Sequence, residues 1–340
     1  KPFTCPNPGQ QMTTIINQEG QSCPENMILR ELVFNAIDAC ARALKEDPTL
    51  EGKQIIKVQP HHIHTQKLCV VNYGGDYFSK KIAKNHFGTI AHTIQANNFV
   101  NHEYDSNKGK GAKISYLPQN LEGLLYYSYD KNQIENVMFQ AATDPYTGQY
   151  GFKYFECPET EELTSFPYIN EEHINYELSI LGGTEAICMG KTIEENTWAT
   201  LNQSCSRTGK ETQSGWPVLD ELACRFWETP PFPIQVEIQD SNGKNFYNTK
   251  GLKHQFQYRS KKWTFELPRS ENILKNTKVH VCMVKQKDKG IRFSHEKAFV
   301  GFAYKGEVYL DWRRSRQSHY SDLKNCGIYT GVSNFNIIIE

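Results

Sequence analysis

The sequence predicts a mixed α/β protein built as two units, and three observations lead there. One long amphipathic helix, MILRELVFNAIDACARALK at 27–45, stands near the start. Short runs rich in β-branched and aromatic residues follow it, separated by glycine turns and weaker helical stretches. The texture then changes after a polar segment, SCSRTGKETQSGW, within 203–217. The expected organisation is a first domain over 1–205, a linker over 206–217 and a second α/β domain over 218–340. A chain of 340 residues has room for both.

Taken in order, residues 1–25 are rich in Pro, Gln and Asn and read as an arm, and Asn26 or a neighbour can cap the helix. DPTLEG at 47–52 is a loop. KQIIKVQ and KLCVVNY read as strands around a histidine-rich turn. From Asn72, NYGGDYFSKKIAKNHFGTIAHTIQ is a glycine turn feeding a helix. Residues 96–111 lack apolar periodicity and read as a long lid-like loop. GAKISYLP starts a short helix that Pro118 stops, and strands are expected near 123–129, 134–141 and 151–156. A polar loop over 158–172 precedes a helical stretch, and GGTEAICMG at 182–190 is a glycine turn entering a strand. Beyond the linker, PIQVEIQDSNGKNF reads as a strand and turn, and VHVCMV, AFVGFAY and FNIIIE as further strands.

Apolar residues make up 38% and charged residues 22% of the chain, the balance of a globular protein. Basic and acidic residues number 38 each, so no global field argues for nucleic acid or an acidic membrane. No apolar run approaches the roughly 18 residues of a membrane helix, and no leader-like segment opens the chain. Ten cysteines without a CxxC pair predict free thiols in a reducing compartment, hence a cytoplasmic location. The HHIH run (His61, His62 and His64) falls in the hairpin connection with no neighbouring Cys or carboxylate. It is expected to be a turn and not a metal site.

The long helix carries the chemistry. At 100° per residue, Glu31, Asn35, Asp38 and Arg42 fall within about 60° of one another, opposite Leu29, Val33, Ala36, Cys40 and Ala43. A carboxylate, a carboxamide one turn on and a second carboxylate can aim a base and metal-directed oxygens at one ligand. The other reading is an ordinary solvated helix face.

Four segments stand in a telling order: E-x-x-x-N-x-x-D on this helix, NYGG at a strand end, NKGKGAK opening a helix, and GGT before a strand. In this order the chain resembles the GHKL ATPase superfamily, the group of gyrase B subunits, MutL-type repair proteins, large heat-shock chaperones and histidine kinases. ELVFNAIDA matches that family's E-L-x-x-N-A-x-D-A pattern at each fixed position. The resemblance implies a two-layer Bergerat-type α/β sandwich with a mixed sheet, followed by a smaller transducer-like α/β domain. It implies binding and slow hydrolysis of ATP with Mg²⁺, lid closure over the nucleotide, and a homodimer on ATP binding.

Residue by residue, Glu31 would be the general base toward water, Asn35 a Mg²⁺ ligand, and Asp38 a brace or outer-shell group. Gly109 and Gly111 would admit the phosphates, bound by amides around Ala112 and Lys113, with Lys110 and Lys113 as charge partners. Thr184 would hydrogen-bond near the adenine. The second motif departs from the family's D-x-G-x-G, reading Asn72, Tyr73, Gly74, Gly75, Asp76. Asn72 replaces the adenine-binding carboxylate, keeps an acceptor oxygen and adds a donor. Asp76 is the alternative recruiter of the base, and a ligand-free glycine turn is the plain alternative.

GLKHQF and the C-terminal run from Gly301 resemble the downstream region of prokaryotic GHKL-like ATPases of poorly defined role. Lys250, Lys253 and Lys305 are candidates to reach a γ-phosphate. Trp312, Arg313, Arg314, Arg316, His319 and Tyr320 could contact phosphates of nucleotide or nucleic acid, or form a solvated loop. By analogy with relatives, the resemblance points to DNA transactions or prokaryotic antiviral defence. The competing functional expectation is a nucleotide-sensing module without useful turnover.

Overall fold

A computed structural model describes residues 3–4, 16, 18, 20, 23–64, 66–88, 111–132, 135–156, 161–206, 213–257, 261–267, 277–283, 299–304, 306–309 and 335–340. The protein is mixed α/β, with two large sheets and seven described α-helices. Its described residues divide into two compact units. One runs to Leu219 and adds Pro231–Asn248; the other holds Asp220–Pro230 and Thr249–Glu340.

The first unit is organised around a nine-stranded sheet. Its strands are β1 (Phe3–Thr4), β2 (Ile55–Pro60), β3 (Leu68–Tyr73), β4 (Gly123–Tyr129), β5 (Val137–Thr143), β6 (Tyr150–Lys153), β9 (Gly183–Gly190), β10 (Ile234–Asp240) and β11 (Gly243–Asn248). A separate hairpin pairs β7 (Phe155–Glu156) with β8 (Leu163–Thr164). Strand order in the sheet is β1-β6-β5-β4-β9-β3-β2-β10-β11. All neighbours are antiparallel except β2 and β10, which run parallel. The three central strands β4, β9 and β3 are buried along their whole length. Their near-continuous apolar sequence follows from cover on both faces.

Helix α1 (Met27–Glu46) lies against β3, β2 and β9 and against α3 (Gly111–Tyr116). Helix α2 (Lys80–Gly88) follows the glycine turn as expected. At Leu117–Gln119, with Pro118 in place, the chain after α3 tightens into a 3₁₀ turn. Helices α4 (Tyr176–Leu181) and α5 (Thr197–Cys205) also pack on β3 and β9. Leu178 of α4 joins Cys69, Val71, Tyr73, Leu125, Tyr127, Tyr129, Ile187 and Met189 in one apolar cluster. These are alternate residues of their strands, so Val70, Asn72, Ser128 and Thr184 belong to the opposite face, toward α1.

The strand and turn at 234–248, expected in the second domain, instead complete the first sheet. Ile234, Val236 and Ile238 are fully buried there, and Ile234–Val236 lie beside Ile56–Val58 of β2. Sequence alone hides this because the parallel partner lies far upstream. Helix α6 (Trp216–Arg225) contains the division between the units, at a place expected to be the end of a linker.

The second unit has its own five-stranded sheet of β12 (Lys262–Leu267), β13 (Thr277–Met283), β14 (Phe299–Tyr304), β15 (Glu307–Tyr309) and β16 (Phe335–Ile339). Their order is β12-β13-β16-β14-β15. With α7 (Leu252–Gln257) they enclose a core of Trp227, Leu252, Phe256, Cys282, Val308 and Ile338. No described helix is long and apolar enough to cross a membrane. Among the described residues, Cys40, Cys69 and Cys188 are free thiols, buried as their apolar settings predict.

Candidate functional site

The polar stripe of α1 is not a solvated face. Glu31 is only 7% exposed, and Asn35, Asp38 and Arg42 are half-buried. Glu31 lies directly against the start of α3. A Cβ placed on Gly111 would fall 1.5 Å from Glu31 Oε2, so no larger residue fits at 111 while the carboxylate stands there. The Arg30 guanidinium pairs with the same carboxylate and also lies 4.9 Å from the centre of the Phe34 ring. One turn on along the same stripe stands Asn35, half-buried.

Further along the stripe, Arg42 holds Asp76 through two contacts, Nε–Oδ2 at 2.5 Å and Nη2–Oδ1 at 3.1 Å. Burial works against the guanidinium charge, but Asp76, and Asp38 beside it, more than offset this and raise the Arg42 pKa. Burial also raises the Asp76 carboxyl despite the pull of Arg42. The two partners thus point in opposite directions. The bidentate geometry decides for a charged pair, because a guanidinium does not give up its proton.

The turn after β3 is fastened to α1 on three sides. Asp76 N–H donates to Ala39 O at 3.1 Å, and Gln54 Nε2 donates to both Cys40 O and Gly74 O at 2.7 Å. The two glycines have separate reasons. Gly74 has φ +70°, a left-handed conformation that suits glycine. Gly75 leaves room for Asn72, whose Oδ1 would sit 2.2 Å from a Cβ at that position. That oxygen accepts from Thr184 N–H at 3.1 Å. The Thr184 hydroxyl is 3.0 Å from Ser128 Oγ, which in turn accepts from Phe78 N–H at 2.7 Å. The displaced second glycine of the NYGGD motif therefore seats a buried amide–hydroxyl cluster.

On α3, Ala112 is buried and Lys113 is 2% exposed. Burial alone lowers the Lys113 pKa to about 7. Of the lid expected over 96–111, Gly111 instead opens α3, and Gly109, Lys110 and the rest lie outside the described residues. So do Lys305 and the Trp312–Tyr320 string. In the second unit Lys253 is held by Glu228 at 2.5 Å, and Lys250 is exposed.

Around α1 the chain brings together Glu31 with Gly111, and Arg42 with Asp76 and with the charge of Asp38. Asn72 and Thr184 adjoin the same turn. Sequence reasoning missed Ser128, whose hydroxyl reaches Thr184 from the neighbouring strand, and Gln54, which ties helix to turn. It also left Arg42 without a partner. Each depends on a contact between distant segments, and no local pattern signals it. Chemically the arrangement offers a countercharged carboxylate and a carboxamide on one helix face, with the glycine start of α3 against the carboxylate and a buried lysine two residues further along α3. No protein-family model matches the sequence and no curated protein matches it, so the geometry of the chain itself carries the functional reading.

Proposed function

We propose that the chain binds ATP with Mg²⁺ against α1 and hydrolyses it slowly, using nucleotide as a conformational switch. The carrying observation is the buried Glu31 carboxylate packed on Gly111, with the Asn35 carboxamide one turn along the same helix. A base that contacts the glycine backbone of a phosphate-binding turn is where in-line attack on a terminal phosphate needs it. Asn35 suits Mg²⁺, which keeps most of its waters and takes one or two protein oxygens. When bound, the metal would supply charge neutralisation on the phosphate oxygens. Gly111 lets the Glu31 carboxylate lie against the backbone at the start of α3, where the phosphates would bind, and Lys113 would add countercharge. Glu31 would orient and deprotonate the attacking water.

Base recognition falls to the Asn72–Thr184 cluster. One lone pair of Asn72 Oδ1 is used by the Thr184 amide, and the Asp76 carboxylate is held by Arg42. Asn72 therefore offers a donor nitrogen as well as a remaining acceptor lone pair, a set that guanine O6 meets as readily as adenine N1. Weak discrimination between ATP and GTP is the expected consequence.

Calorimetric titration with ATP, GTP and a non-hydrolysable analogue, with and without Mg²⁺, tests binding, and steady-state phosphate release tests turnover. Glu31→Ala should lower turnover roughly 10²–10⁴-fold while binding persists. Wild-type binding without nucleotide-dependent phosphate release would favour the sensing module instead. Absence of binding in every arm would remove both readings. Light scattering with and without the analogue reads the expected nucleotide-driven dimer.

A further inference from the structure

The face of the first sheet opposite α1 carries a second cluster of chemistry-bearing side chains. Glu185 follows Thr184 on β9, so strand alternation sends it to the other side, between Val71 and Tyr127 in register. It is fully buried. Its Oε1 accepts from Asn175 Nδ2 at 2.8 Å, but its Oε2 is buried with no hydrogen-bond partner among the described residues. Facing it at 3.7 Å is His61 Nε2, also buried and also without a partner. His62 stands beside them, exposed, and one nitrogen or oxygen from each of His61, His62 and Glu185 lies within 4.8 Å of the others.

A fully buried carboxylate oxygen without a hydrogen bond is costly, and two polar atoms that face each other at 3.7 Å, too far apart for a hydrogen bond, suit a cation between them. The histidine-rich turn joining β2 and β3 fits a metal better than a hairpin requires. Imidazole and carboxylate together suit ions of the zinc class and not Mg²⁺, which takes oxygen ligands. A tetrahedron with bonds of ~2.1 Å has edges of ~3.4 Å, so an ion would draw the three side chains somewhat inward. His62 also lines a cavity of about 310 Å³ with Gln59, Gln66, Trp198, Gln239 and Lys244, which gives the cluster access to solvent.

We propose that His61, His62 and Glu185 form a site for a divalent transition-metal ion of the zinc class, its remaining coordination positions open to this cavity. His61 Nδ1 accepts from His64 N–H at 3.0 Å, which in the metal-free protein places the ring proton on Nε2 toward Glu185. The ion takes the place of that proton, which moves to Nδ1, so Nδ1 changes from acceptor to donor and releases the Ile63 and His64 amides. The site is separate from the Mg²⁺-nucleotide reading and does not depend on it.

The test is equilibrium dialysis of the full chain, stripped with chelator, against Zn²⁺ and against Co²⁺, with metal content and the visible Co²⁺ spectrum as readouts. One equivalent should bind, Co²⁺ should give ligand-field bands, and Zn²⁺ should raise the melting temperature. His62→Ala, an exposed position that leaves the fold intact, should weaken binding at least about 10-fold, as should the isosteric Glu185→Gln. Failure of the wild type to take up either metal would overturn the site. So would binding that His62→Ala leaves unchanged, which would place the ion on other histidines.

Discussion

The Glu31–Gly111 contact ties stability to one atom pair, and with it the hydrolysis proposed above. With a Cβ at 111 only 1.5 Å from Glu31 Oε2, Gly111→Ala must push the carboxylate aside or shift α3. The expected result is a loss of phosphate release comparable to that of Glu31→Ala, with nucleotide binding weakened as well. Gly52, whose Cβ would meet nothing within 4 Å but whose φ is +75°, provides a control in which only backbone strain is introduced. The Arg42–Asp76 pair makes a different prediction. Both side chains are less than a third exposed, and the contact is bidentate. Arg42→Ala leaves a half-buried carboxylate without its partner and should cost about 1.5–3 kcal/mol by urea unfolding.

Lys113 gives a proton-linked prediction. Its pKa in the folded chain is about 7, against 10.5 for the free side chain. Between those values the unfolded chain binds more protons than the folded one, so Lys113 makes stability rise with pH across that window. Below it, both states are protonated and the slope vanishes. A phosphate beside the ammonium favours the charged form, so nucleotide binding at pH 8 should take up about one proton. Calorimetry in buffers of different ionisation heat measures this, and Lys113→Met should abolish it. Unchanged proton uptake in that variant would assign the linkage elsewhere.

At the scale of elements, Gln54 is the joint between α1 and the turn after β3. Its single amide nitrogen serves two carbonyls, one from the helix and one from Gly74. Gln54→Ala leaves both without that donor and should cost about 1–3 kcal/mol, read as a lower unfolding midpoint in urea. The elements themselves were largely legible. Twenty residues of 3.6-periodic pattern give α1, unbroken apolar runs give β3, β4 and β9, and Pro118 marks where α3 ends. What was not legible is pairing over distance. The side chains of β12 are exposed along its whole length, so it carries no burial pattern to read, and α6 begins inside a stretch whose polarity suggested a linker. Glu185 shows the same limit at the second cluster. The histidine run lacks a neighbouring carboxylate in sequence, and the sheet supplies one from β9.

For the whole molecule, equal numbers of acidic and basic residues leave no net field, so the boundary of the first unit is a question of burial and pairing. A chain ended at Ser206 would strip β10 and β11 from β2. The Ile56 amide would lose its bond to Pro233 O, and the fully buried Ile234, Val236 and Ile238 would be gone. Burying such a side chain contributes about 1.5–3 kcal/mol, so the three together approach the roughly 5–15 kcal/mol by which a domain is stable. The freed edge of β2 would also invite pairing with other chains. A chain ended at Asn248 keeps both strands but carries Phe226 and Trp227, which are buried in the second unit, so Phe226→Ser and Trp227→Ser should accompany it for solubility. The longer fragment is expected to melt cooperatively and the shorter one to aggregate or show no transition by calorimetry. Equal melting temperatures for the two would mean that β10 and β11 decorate the sheet without supporting it, and that the first unit is complete by Ser206.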